Sequence, residues 1–391
     1  MMDASVFIAR RIRFKGGIAT IAVAISFLVM IIAVAVSGGF RKEIREGVSN
    51  MSGDVMLVPP GMNVLEKSAP VEADAAYLPY VKEIDGVCEI RPAVYSAGLL
   101  KMEDELFGAV FKGMDAVGEF PDSVSLPVSV PVDLARKAGI EVGYRILTYF
   151  ISDKVKVRQF NVVSMYEHLV GTGEPVIRAR MSDLQRLEGW AGNQVSCMEV
   201  ILDADRKEPE SMRRVADEAG VLIRAYSEDD EASVIAVSSA SRFRVIFDWL
   251  NVIDFNVFFI LVLMTIVAGF NMISGLLILL FENISKIGLL KSVGMTDRAI
   301  SKVFLYSSAS LVLKGMLWGN ALAFILCMIQ GTTHLLKLDP ENYFVSYVPV
   351  SLDLGYVLLA DLIAFSAIML LLLIPCLFIS KVDPSDTVRV K

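Results

Sequence analysis

Residues 255–302 read FNVFFILVLMTIVAGFNMISGLLILLF followed by ENISKIGLLKSVGMTDRAISK. The first part, 255–281, carries no charge and is long enough to cross a bilayer as a helix, which takes ~20 apolar residues. The second part, 282–302, is a short amphipathic segment. Lys286, Lys291, Arg298 and Lys302 mark it as cytoplasmic, and Ile287, Leu289, Leu290, Val293 and Met295 give it an apolar side to press into a partner. A span that feeds a short docking helix is suited to receive force from another polypeptide.

The remainder of the chain fits that start. Of 391 residues, 54% are hydrophobic and 21% charged, with mean hydropathy +0.57. That balance is too apolar for a soluble protein and too charged for one lying wholly in lipid, so we expect one soluble domain plus several spans. The net charge of −7 argues against a nucleic-acid binder, which carries a basic face.

Four runs qualify as transmembrane helices: 17–38, 252–281, 303–330 and 352–378. The first follows a tail (1–16) with Arg10, Arg11, Arg13 and Lys15. Ala35-Val36-Ser37 resembles a signal-peptide cleavage site, but the apolar run exceeds a usual signal core, so an uncleaved anchor is expected. Basic residues recur in 282–302 and in the tail 379–391 (Lys381, Arg389, Lys391), whereas the loop 331–351 carries only Lys337. The positive-inside rule then puts both termini and 282–302 in the cytoplasm, and 39–251 on the far side, in the periplasm of a Gram-negative cell. Arg41, Lys42 and Arg45 run against the rule, which long translocated domains override.

The segment 39–251 alternates strand and helix patterns. Strands are expected at 55–60, 87–90, 97–102, near 145–151, at 154–165, 197–202 and 221–226; helices at 75–84, 131–138, 181–187, 208–219 and 231–250. Two subdomains are expected: a membrane-proximal part (about 50–108 and 209–245) and an outer insertion (about 109–208). The expected fold class is therefore a membrane protein of four transmembrane α-helices, one plus three, with a large α/β domain between the first and second.

Catalytic motifs are missing from the sequence. It contains no GxSxG, HExxH or CxxC, and His168 and His334 stand far apart. Neighbouring carboxylates (Glu103, Asp104, Glu105; Glu228, Asp229, Asp230, Glu231) do not face one another on a helix or strand and read as solvated turns. Cys327 and Cys376 lie in apolar runs; Cys88 and Cys197 lie in the exported segment, where pairing is permitted but their separation is not fixed by sequence. No GxxxxGK[ST] occurs, so no nucleotide is cradled by that route. We expect no catalytic residue, no metal and no cofactor bound by this chain.

Four places resemble the permeases of the lipoprotein-releasing ABC system (the LolC/LolE family), within the wider MacB/FtsX-like mechanotransmission group. GGFRKEIREGVSNMSGDVMLV (38–58) is similar to the family's entry into its exported domain, and VAGFNMISGLL (267–277) to its second-span signature. ENISKIGLLKSVGMTDRAI (282–300) resembles the group's coupling segment, with Glu282, Ile287, Gly288, Leu290, Lys291 and Gly294 at matching positions. Pro375 and KVDPSDTVR (381–389) resemble its closing motif. Asn283 and Cys376-Leu377-Phe378 depart from the group's pattern, which has basic residues there.

The resemblance implies a permease subunit without enzymatic activity. Its partners would be two copies of a soluble ABC ATPase that uses ATP and Mg, a second permease chain (the same or a paralogue), a lipoprotein substrate, a periplasmic lipoprotein carrier and membrane lipids. ATPase coupling falls to Glu282, Lys286, Ile287, Gly288, Leu290, Lys291, Gly294 and Met295, with Ile287, Leu290 and Met295 plugging an apolar groove and Lys291 meeting acidic residues at its rim. Extracting acyl chains costs ~0.8 kcal/mol per CH₂ exposed, so a shielded path is needed. Val34, Val36, Phe40, Phe258, Phe259, Val262 and Met264 are its candidate lining. Asn271, Lys314 and Asp361 are polar residues inside spans, a costly placement that usually faces protein or water; Lys314 and Asp361 form a candidate pair. The alternative function is a MacB/FtsX-like mechanotransmitter for peptide or drug efflux, or for control of a periplasmic hydrolase.

Overall fold

The structure, a computed structural model, describes residues 17–376 except 64, 66–68, 103–104, 116–119, 152–153, 168–173 and 230. Both basic tails, the 381–389 part of the closing motif, His168, Glu103, Asp104 and Asp230 lie outside the described residues. The described residues divide into two compact units: 17–41, 251–337 and 348–376 form one, and 42–250 with 338–347 form the other.

The helices in chain order are α1 (Gly17–Ser52), α2 (Leu78–Lys82), α3 (Val132–Ala138), α4 (Met181–Glu188), α5 (Pro209–Tyr226), α6 (Ser239–Arg242), α7 (Arg244–Glu282), α8 (Ile284–Ser292), α9 (Asp297–Thr333), α10 (Pro340–Tyr343), α11 (Leu354–Leu371) and α12 (Leu373–Cys376). The strands are β1 (Val55–Val58), β2 (Val71–Glu72), β3 (Val87–Met102), β4 (Glu105–Met114), β5 (Pro127–Pro131), β6 (Arg145–Ile151), β7 (Val155–Tyr166), β8 (Val176–Arg180), β9 (Gln194–Val195), β10 (Cys197–Leu202) and β11 (Ile235–Ser238).

In the first unit, α1, α7, α9 and the α11–α12 pair are long and apolar enough to cross a membrane. They share one core: Phe27 and Met30 of α1, Met272 and Leu276 of α7, Phe304 and Val312 of α9, and Ile368 and Leu372 of the last pair. The buried positions of α9 recur every three or four residues from Ile300 to Gln330, which turns one stripe of the helix inward. Gly315 and Gly319 lie on that stripe. A Cβ at Gly319 would stand 2.5 Å from the Ala24 carbonyl oxygen, so the backbones of α1 and α9 touch there. Asp353 starts α11 by accepting hydrogen bonds from the amides of Gly355 (2.7 Å) and Tyr356 (3.4 Å).

The second unit is built on strands of mixed direction. β11, β1, β10 and the first half of β3 form an open antiparallel sheet. The second half of β3 continues into a ring, β3-β4-β8-β5-β7-β6, which closes on itself through Leu99↔Tyr149, Leu100↔Thr148 and Lys101↔Leu147. β4–β8 and β5–β7 are parallel; the other pairings in the ring are antiparallel. This barrel is filled by Phe111, Phe150 and Phe160, whose ring centroids lie 4.9–5.9 Å apart. α5 packs on the open sheet with Met212, Val215, Ala216, Ala219 and Ile223 buried.

Several expectations require correction. The helix of the first span does not end near 38 but runs to Ser52, because Phe40, Ile44 and Val48 extend its buried stripe. The strands expected at 87–90 and 97–102 are one strand that changes partners near Val94. Residues 221–226, read as a strand from their β-branched content, complete α5; Ile223 lies one turn beyond Ala219 on the buried face, and Tyr226 stacks on Tyr80. The helix expected over 231–250 is preceded by β11, which pairs with β1. The break expected near Ala109 falls within β4. Arg41 and Arg45, outliers to the charge rule, are matched by Asp254 (2.6 Å) and Glu208 (3.6 Å).

Candidate functional site

Within 282–302, residues Ile284–Ser292 fold as α8 between α7 and α9. Asn283 breaks the register after α7, with its Nδ2 donating to the Leu279 carbonyl oxygen at 2.9 Å. α8 stops at Gly294, whose φ of +93° is a left-handed conformation open to glycine. The amide of Met295 then donates to the Leu290 carbonyl oxygen at 3.0 Å, and the Thr296 hydroxyl accepts from the Ala299 amide to start α9.

The apolar residues of this segment divide between two faces of α8. Ile287 is fully buried in the four-helix core, and the half-buried Leu290 and Met295 pack against the same core. Gly288 is buried beside Ile287. The outward apolar side chains are Ile284, Leu289 and Val293, the last two 62% and 82% exposed. Lys291 pairs with Asp297 of this same chain at 2.9 Å. Glu282 and Lys286 are exposed, and Lys286 donates to the Asn283 side chain at 2.9 Å. Apolar residues at i, i+3 and i+4 give two stripes on so short a helix. Which one turns inward is decided by the helices packed around it.

Among the candidate path residues, Phe258, Phe259 and Val262 are exposed on α7, while Val34 and Val36 are half-buried and Met264 packs against the core. Phe40 is buried within the chain, which removes it from an open lining. The intramembrane polar residues also separate. Lys314 faces outward beside the exposed Leu313 and Leu317, and Asn271 is half-buried. Asp361 is buried, and its partner is not Lys314: the Asn320 Nδ2 donates to Asp361 Oδ2 at 2.6 Å. Asn320 was not singled out from sequence; its position one residue after Gly319, on the helix face next to the close-packed ridge, was the available signal. Asp361 Oδ1 and Asn320 Oδ1 make no hydrogen bond among the described residues.

The second unit holds buried charge. Lys112 Nζ lies 2.8 Å from Glu199 Oε1, both nearly inaccessible, and Tyr95 Oη donates to the same carboxylate at 2.5 Å. Burial pushes the Tyr95 hydroxyl well up, with the Glu199 charge adding to it. A polar cavity of about 220 Å³ is lined by Glu43 and Asn50 of α1, by Tyr166 and Arg178 of the barrel, and by Ser346 and Tyr347. Burial, then Glu43 and Glu167, push the Tyr347 hydroxyl up. Cys88 and Cys197 are free: Cys197 is buried and Cys88 exposed, its Sγ donating to Asp203. Among the described residues, no group of three or more His, Cys, Asp or Glu side chains is placed to hold a metal ion.

Residues 258–384 match the family described as FtsX-like permease C-terminal. Over 94% of its length the chain is 23% identical to the lipoprotein-releasing system transmembrane protein LolC of Neisseria meningitidis serogroup B, covering 92% of that protein. It is 21% identical to LolC of Xylella fastidiosa over the same shares. Two solved structures are also similar. The extracellular domain of the noncanonic ABC-type transporter YknZ from Gram-positive bacteria is 12% identical, covers 47% of this chain and 99% of its own length, and has TM-score 0.29. The periplasmic region of MacB from Actinobacillus actinomycetemcomitans is 12% identical, covers 51% and 95%, and has TM-score 0.31.

Proposed function

We propose that this FtsX-like permease is the membrane subunit of an ATP-driven system that extracts lipoproteins from the inner membrane and hands them to a periplasmic carrier. The observation that carries the reading is α8: a helix rooted by Ile287 in the four-helix core, displaying Leu289 and Val293 outward, within a domain of permease type. The similarity to LolC along nearly the whole chain supports lipoproteins as the substrate class. The ATPase is a separate polypeptide that docks on the Ile284, Leu289 and Val293 face. α8 and both termini lie on the cytoplasmic side, and 42–250 on the periplasmic side. Two such permeases, identical or paralogous, make the working unit, because four helices are too few to enclose a lipid-sized path.

Depletion tests the substrate. Outer-membrane lipoproteins stranded in the inner membrane support lipoprotein release; correct sorting with defective wall cleavage, or lost drug resistance with correct sorting, refutes it in favour of a mechanotransmitter of the same permease type. Docking has its own test: Leu289→Asp with Val293→Asp should leave the melting temperature within a few degrees and reduce co-purification of the ATPase at least tenfold. An unchanged yield of ATPase would place the contact elsewhere.

A further inference from the structure

The last turns of α1 do not simply lead into the head; they are fastened to it. Helix ends leave backbone carbonyls without intrahelical partners. At this end Lys112 Nζ donates to the carbonyls of Asn50 (3.4 Å) and Met51 (2.8 Å), and Tyr95 Oη lies 3.1 Å from the Met51 carbonyl oxygen. Lys112 comes from β4, Tyr95 from β3, and Glu199, which holds both, from β10. The turn that follows is equally constrained. Gly53 adopts φ +71°, and a Cβ there would stand 2.9 Å from the Glu199 Cβ. Ser239, which opens α6 ahead of α7, donates its hydroxyl to the Gly53 carbonyl (2.6 Å) and its amide to the Asp54 carbonyl (2.9 Å). Asp54, fully buried, accepts from the Leu202 amide (2.8 Å) and the Ser49 hydroxyl (3.1 Å). One buried joint thus ties the end of α1, three strands of the head and the start of the path into α7.

We propose that Lys112 is a positioning residue for coupling: with Glu199 and Tyr95 it locks the end of α1 to the head, so that displacement of the helix passes to the head as rigid-body motion. The ammonium suits the task because one group satisfies two helix carbonyls and a carboxylate at once. The inference rests on the reading above that the chain relays ATP-driven motion. The locking, however, is testable without it.

The test is spin-label distance measurement on the full chain in a Cys88→Ser background, with Glu46→Cys on α1 and Arg213→Cys on α5, both exposed. Lys112→Met paired with Glu199→Gln removes the locking charges without leaving one buried alone. Ser239→Ala, which spares the ion pair, is the second variant. The distance distribution is expected to be narrow in the parent and at least twofold broader in both variants. In proteoliposomes with the companion ATPase and a dansyl-labelled triacylated lipopeptide, release per ATP hydrolysed is expected to fall at least tenfold. A distribution that stays narrow in both variants overturns the proposal, as does a broadened one with release per ATP unchanged. Absence of ATP-dependent release in the parent refutes the lipoprotein reading instead, and the distance measurement then decides the joint alone.

Discussion

Replacing Gly319 by alanine puts a methyl group where α1 and α9 touch. The new Cβ would lie 2.5 Å from the Ala24 carbonyl oxygen, 2.9 Å from Phe27 Cβ and 3.1 Å from the Leu28 amide nitrogen. Two of these three neighbours are backbone atoms, which no rotamer change removes. Restoring an ordinary 3.4 Å contact requires the helices to part by about 0.9 Å (3.4 − 2.5). A gap of that size forfeits roughly a quarter to a half of each dispersion contact along the seam, and overpacking of this kind costs ~1–3 kcal/mol. Alanine's higher helix propensity offsets ~1 kcal/mol at most, and less here, because a transmembrane segment stays helical when its neighbours separate. Gly331→Ala, near the end of the same helix, is the control: its Cβ would meet only the Val350 Cγ2, at 3.4 Å. Thermal melting of the full chain in detergent, followed by tryptophan fluorescence, should show Gly319→Ala several degrees below Gly331→Ala. If Gly319→Ala melts at or above the parent, α1 and α9 do not pack through this ridge and the reasoning is wrong.

Asp361→Asn should be tolerated, because an amide still accepts from Asn320, whereas Asp361→Leu should lower stability by ~0.6–1.7 kcal/mol in the same melting assay; equal melting of the two would mean the bond to Asn320 contributes nothing. In the barrel, a Cβ at Gly98 would stand 2.7 Å from the Thr148 methyl group and 3.1 Å from the Phe111 and Phe150 rings. Gly98→Ala should therefore cost ~1–3 kcal/mol by denaturant titration, and Thr148→Ser, which removes that methyl, should recover part of it; no recovery would shift the blame to the aromatic rings. Burial raises the Asp54 carboxyl above its ordinary value of 3.8, against opposition from the Leu202 amide, Lys207 and Ser49. A raised acid binds its proton more readily folded than unfolded. Its contribution to stability therefore falls as pH rises from that ordinary value through the folded one, and is flat above. The melting temperature of Asp54→Asn relative to the parent should accordingly increase between pH 4 and pH 7, and a decrease would reverse the assignment.

What was legible in the sequence was whatever a single period carries. The four apolar runs declared themselves by length, β7 by simple alternation and the end of α3 by the stop at Gly139. Boundaries failed where the deciding partner is remote in sequence. Nothing within 87–102 says that β3 leaves β10 for β4 near Val94, since its first partner, β10, lies more than a hundred residues away in sequence. The helix over 221–226 overrode β-branched propensity because Ile223 continues a buried face. Asn320 and Lys314 lie on the same helix, α9, and only the packing of α9 against α11 decides that Asn320, not Lys314, meets Asp361. The Lys112–Glu199 pair was hidden for the same reason: each is an ordinary strand residue until the sheet brings them together.

The orientation of α8 bears on how a push could travel. An interfacial helix lying on headgroups turns its main apolar stripe toward lipid. Here Ile287 and Leu290 are already taken up by the chain's own core, so lipid burial is not what holds the segment in place. Its ends are short and fixed as well. Asn283 donates its amide to the carbonyls of Leu279 (3.1 Å) and Leu280 (3.3 Å), and Lys291 reaches across the Gly294 stop to Asp297 at 2.9 Å. A load on Leu289 and Val293 is therefore not absorbed by a slack loop; any movement of α8 must drag Ile287 and with it the core shared by α1, α7 and α9. That coupling is a matter of packing rather than of charge, so neutralising Lys291 should weaken it far less than enlarging the hole around Ile287. Ile287→Ala should uncouple transport from ATP hydrolysis while ATPase binding persists. Lys291→Met should leave both nearly unchanged, and the opposite ranking would mean that force enters through the ion pair instead.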